Sequence, residues 1–115
     1  MTAKDVYANL GEDYDEVLSR LMSEERITKY LKKFVVEDYT TKMKESIAAK
    51  NWEEAFRIAH SLKGMGMNMG TAKLYNSCET LCDALRNGEP TVDITDMVSL
   101  VSAEYAKIVE QVAIL

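Results

Sequence analysis

At 115 residues the chain has room for one domain with a real core, without disulfides or metal to hold it. A net charge of −5 and a pI near 4.9 argue against nucleic acid as the main partner, in a composition ordinary for a soluble protein. No apolar run approaches membrane-spanning length, and Met1-Thr2-Ala3-Lys4-Asp5 lacks a signal-peptide core, so a cytoplasmic protein with no membrane partner is expected.

With one proline, five glycines and no strand-like alternation, the chain reads as all helix. Val6, Tyr7 and Leu10 stand at helical spacing before Gly11 and suggest a short first segment. Asp13 to Glu16 has the form of a capping box, and the helix it opens would turn Tyr14, Val17, Leu18 and Leu21 inward. Ser23 caps the next helix, with Met22 and Ile27 placed for a hydrophobic staple. The stripe Ile27, Leu31, Phe34 passes into Tyr39, Met43, Ile47, and the spacing predicts one long helix with a possible bend, closing at Ala48 to Asn51.

Asn51 with Glu54 resembles another cap-and-box start, for a helix from Trp52 to about Met67. After a turn at Asn68, Gly70 and Thr71, a helix capped near Thr71 would bury Leu74, Cys78, Leu81, Cys82 and Leu85, then stop at Asn87-Gly88 with Pro90 beyond. Asp93 is expected to cap the last helix, with the stripe Ile94, Met97, Val98, Val101, Tyr105, Ile108 and Val112. Short connections favour antiparallel neighbours, so the economical architecture is a single domain over 1–115. It would be an up-and-down four-helix bundle with one or two short N-terminal helices.

Cys78 and Cys82 share the buried face of one helix, poor geometry for a disulfide and too few ligands, with one histidine, for zinc. They read as small buried hydrophobes.

The one residue that invites chemistry is His60, the only histidine. Trp52, Ala55, Ala59 and Leu62 form the apolar stripe of its helix, and His60 falls outside that stripe with Glu53, Phe56, Gly64 and Met67. A neutral imidazole is a good nucleophile near pH 7. Lys63, one turn on, offers an ammonium to the oxygens of a phosphoryl group. Gly64 leaves the approach bare, at a cost of roughly 0.5–1 kcal/mol in a helix interior. A competing explanation of Gly64 is close packing of a neighbouring helix. A lone helical histidine is usually a surface residue, but Lys at +3 and Gly at +4 would coincide with it by chance only about once in 200 at ordinary usage.

Ala59-His60-x-Leu62-Lys63-Gly64, with Gly70 ten residues after the histidine, resembles the histidine-containing phosphotransfer (HPt) domain. Leu74, Cys78 and Leu81 are similar to that family's next helix, and Asn51-Trp52-Glu53 to its approach to the histidine helix. The resemblance spans roughly Ser23 to Val112, and its specific part is Trp52 to Leu81. Met65-Gly66-Met67 departs from the small or hydroxyl residues more usual there.

The resemblance implies a phosphorelay intermediate in two-component signal transduction. His60 would accept a phosphoryl group from an aspartyl phosphate and pass it to an aspartate on a second protein. Lys63 would hold the phosphoryl oxygens and Gly64 would permit close approach. The implied partners are receiver domains of response regulators or hybrid histidine kinases, which would also bring the magnesium; the chain is expected to be a monomer with no cofactor of its own. Phe56, Arg57 and Met67 are candidates for the docking surface, although Arg57 and Lys73 also suit a solvated surface. Met65, Met67 and Met69 must divide between core and docking patch.

With no Gly-rich phosphate loop and no kinase signature, the chain is expected to be a phosphocarrier rather than an autonomous enzyme. The alternatives are an excised phospho-accepting domain of a larger histidine kinase, against which the initiating methionine weighs weakly, a phosphorylation-independent helical adaptor, and a haem-holding bundle lacking any attachment motif.

Overall fold

A short polar side chain that takes up a free backbone amide favours a helix start. The computed structural model, which describes residues 1–115, has seven helices. They are α1 (Ala3–Leu10), α2 (Tyr14–Leu21), α3 (Glu24–Phe34), α4 (Tyr39–Ala48), α5 (Trp52–Asn68), α6 (Ala72–Leu85) and α7 (Thr95–Ala113). Thr2, Asp13, Ser23, Asp38 and Asn51 each accept an amide hydrogen bond as the N-caps of α1 to α5. The chain is all-α, as its periodicity predicts.

The long helix expected from Ser23 to the Ala48 region is two helices. Val35 to Asp38 lie between them, where the β-branched pair Val35-Val36 weakens the helix and Asp38 restarts it by accepting from the Thr41 amide at 3.2 Å. The buried Tyr105 hydroxyl fits the break, lying 3.1 Å from the Phe34 carbonyl and 2.8 Å from that of Glu37.

Other local expectations were half right. Asp13 and Asn51 accept the amides of Glu16 and Glu54, but the glutamates do not return the bond. Glu16 pairs with Arg20, and Glu54 with Arg57, one turn along their own helices. No staple forms at Met22, which takes a left-handed conformation (φ 71°) to end α2 and stays 78% exposed. Thr71 stands at the cap position of α6 but is buried, its hydroxyl donating to the Gly66 carbonyl. Asp93 lies one residue before the α7 cap position, Ile94, and accepts the Thr95 amide at 2.9 Å.

Helix α5 packs against both α4 and α6, α7 packs against α6, and α4 meets α7. The shared core takes Met43, Leu62, Leu74, Leu81, Val101 and Ile108 from these four helices. Both cysteines are free and buried within it. Burial pushes the Cys78 thiol up to about 12 and the Cys82 thiol up to about 11.

The N-terminal helices do more than cover an end: they hold the α5–α6 turn. The fully buried Tyr7 donates its hydroxyl to the Met69 carbonyl. Arg20 donates to the Met67 carbonyl at 3.3 Å, and the Lys73 ammonium to the Leu10 carbonyl at 2.9 Å. Glu12, from the α1–α2 connection, accepts the Lys73 amide at 3.1 Å and so caps α6 from outside. Gly70 is needed here, because its φ is +67° and a Cβ would come within 2.2 Å of a Val17 methyl. No helix is long and apolar enough to cross a membrane.

Candidate functional site

Helix α5 divides its residues sharply between two arcs. Ala55, Ile58, Ala59, Leu62 and Gly66 are buried against the neighbouring helices. His60, Gly64 and Met67 face solvent on the other arc, with Phe56 half-buried beside them. The small buried residues let α6 approach closely: a Cβ on Gly66 would meet the Tyr75 backbone nitrogen at 3.2 Å. Two residues earlier, a Cβ on Gly64 would meet nothing within 4 Å. Packing of a neighbouring helix therefore explains Gly66 and does not explain Gly64.

The imidazole of His60 lies over the Phe56 ring, with centroids 5.7 Å apart and planes 15° from parallel. An i, i+4 pair on one helix meets in this way, and the stack limits the orientations of the imidazole while leaving it open to solvent. Met67, two turns on, is 56% exposed, whereas Met69 is buried and Met65 half-buried. Of the three methionines, only Met67 belongs to the histidine's surface.

Each of the three cations has its own partner. Arg57 is exposed and its guanidinium is held by Glu54, which keeps that carboxyl below the usual carboxylate range. Lys73 is engaged with the N-terminal helices rather than free in solvent. Lys63 leans across the α5–α6 seam. Its ammonium is 4.0 Å from a Glu79 carboxylate oxygen and 5.6 Å from the centre of the Tyr75 ring, with the side chain 20% exposed. Tyr75 and Glu79 thus join the site, although the sequence reading passed over them. Their i, i+4 spacing marked one face of α6, but only the packing of α6 on α5 shows which cation that face meets.

The arrangement is an accessible nucleophile on a helix, with bare backbone one turn later and a lysine three residues on. It suits a group delivered by another macromolecule better than a small molecule bound in a cavity. An apolar hollow of about 420 Å³ lies between Leu21, Phe34, Met65 and Met69, and His60 is not among its lining residues.

The family model for the Hpt domain matches residues 34–113. The match takes in all of α4 to α7 and leaves α1, α2 and nearly all of α3 outside. No curated protein and no solved structure matches the chain.

Proposed function

Since the chain belongs to the Hpt domain family, we propose that it is a phosphorelay intermediate in which His60 carries the phosphoryl group between receiver-domain aspartates. The observation that carries this reading is the exposed imidazole, set beside a glycine whose missing side chain leaves open space. In the accepting step an imidazole nitrogen attacks the phosphorus of an aspartyl phosphate. The P–N bond forms as the P–O bond breaks, and the aspartate leaves as a carboxylate. The return step reverses these bonds on a second receiver. The receiver brings the magnesium and most of the catalytic groups; this chain brings the nucleophile, a cation in Lys63 and a shape that admits the partner at Gly64.

Phe56, His60 and Met67 form the apolar strip of the docking face, and the exposed Arg57 lies at its edge. The contacts of α4, α5, α6 and α7 with one another support an up-and-down four-helix bundle as the scaffold. Receivers and their kinases place this exchange in the cytoplasm.

The test is phosphorylation of the wild-type protein and of His60→Gln by a phosphorylated receiver. Acid-labile, base-stable label is expected on the wild type alone, with both proteins equally folded by circular dichroism. Equal label on the two would end the assignment. Lys63→Ala is expected to slow transfer or shorten the phosphohistidine lifetime by on the order of 10- to 100-fold, if a charge-assisted contact of about 1.5–3 kcal/mol is fully expressed in the transition state.

A further inference from the structure

Lys63 follows His60 by three residues, and its ammonium is directed at α6. The carboxylate of Glu79 lies 4.0 Å from it and the Tyr75 ring 5.6 Å from it. Both partners come from one face of α6, one turn apart, and the close seam at Gly66 fixes their distance from α5. From this geometry, and resting on the phosphotransfer reading above, we infer that Glu79 is a positioning residue: with the Tyr75 ring it forms a resting dock that holds the Lys63 ammonium until a phosphoryl group on His60 draws it away.

The chemistry follows from competition for one cation. A lysine ammonium on four methylenes swings between nearby anions at little cost. Before transfer the nearest anion is the Glu79 carboxylate. Afterwards a phosphoryl group of higher charge stands one helical turn from Lys63 and attracts it more strongly. Leaving Glu79 and the ring face subtracts from what Lys63 gives to the phosphohistidine. The dock therefore makes the phosphorylated form less stable than a free lysine would, and so a better donor to the next aspartate. Glu79 also lies beside Tyr75, whose phenol it raises above its ordinary value.

Two measurements test the inference. The first needs no phosphorylation. In Glu79→Gln the Tyr75 phenol should titrate at lower pH than in wild type, read by NMR of ring-labelled tyrosine; an unchanged titration overturns the dock. The second labels His60 with phosphoramidate, where a P–N bond to imidazole forms as ammonia leaves, and follows decay of the label in five proteins. Glu79→Gln should lengthen the phosphohistidine lifetime roughly two- to five-fold, the range an exposed ion pair carries, and Glu79→Asp should fall between it and wild type. In a Lys63→Ala background the same Glu79→Gln change should have no effect. Equal lifetimes for labelled wild type and Glu79→Gln overturn the inference alone. So does equal lengthening with and without Lys63, which would mean that the carboxylate acts on the phosphoryl group directly. Absence of label from wild type overturns the phosphotransfer reading, and the inference with it.

Discussion

The two glycines of the histidine helix, Gly64 and Gly66, are two residues apart and have opposite surroundings. Gly66 is buried, and its missing side chain lets the Tyr75 backbone come within van der Waals reach. Gly64 faces open solvent and serves no packing within the chain. Both carry the entropic cost of glycine in a helix. At Gly66 the close seam with α6 offsets that cost. At Gly64 nothing inside the molecule does, so the reason for it must be sought in what approaches from outside.

Substitution should separate the two positions, and the largest effect on stability belongs to the inner one. Gly66→Leu would force a branched side chain into the Tyr75 backbone and should lower stability by about 3 kcal/mol, read as a drop of roughly 10–15 °C in melting temperature. Retention of the wild-type melting temperature would mean that the seam is looser than its geometry indicates. Next in size is Tyr7→Phe, which leaves the Met69 carbonyl without its buried donor at the end of the same helix. It should cost about 1–2 kcal/mol, and hydrogen exchange should quicken first at the α5–α6 turn.

The inner arc faces a core whose titrating groups hold their protons. Cys78 is pushed up to about 12 and Cys82 to about 11 by burial, and burial likewise raises the Tyr105 phenol to about 12. Each group binds its proton more tightly folded than unfolded, so the stability it contributes is fully present below its unfolded value. That contribution is lost as pH rises from about 9 through 11 and 12. Urea unfolding should therefore show equal stability at pH 7 and 8 and a loss by pH 10. At pH 8 a thiol reagent should label neither cysteine until the protein unfolds.

The smallest effect on stability is expected on the outer arc. Gly64→Ala should be neutral or raise stability by up to about 1 kcal/mol, since it improves helix propensity without a clash. Its phosphotransfer should nevertheless slow, and Gly64→Gln should fold equally well and be slower still. Single-turnover rates measured beside melting curves check this directly: full rates in both variants would remove Gly64 from the site.

The sequence is informative wherever a property is local. Helical periodicity, the caps at Asp13, Ser23 and Asn51, the buried cysteines and the exposure of His60 all depend on residues within a turn or two of each other. The His60-Leu62-Lys63-Gly64 spacing was legible for the same reason, and it pointed to the family that the match over residues 34–113 establishes. What the periodicity could not decide was the identity of partners distant along the chain. The break at Val35 to Asp38 fits a Tyr105 hydroxyl arriving from α7, and the first two helices matter because Tyr7, Glu12 and Arg20 reach the α5–α6 turn. Lys63 meets Glu79 only because the seam at Gly66 sets α6 where it does. An amphipathic stripe states which face is buried and nothing about which residues of another helix it meets. That selection depends on close packing between elements, and only the tertiary structure contains it.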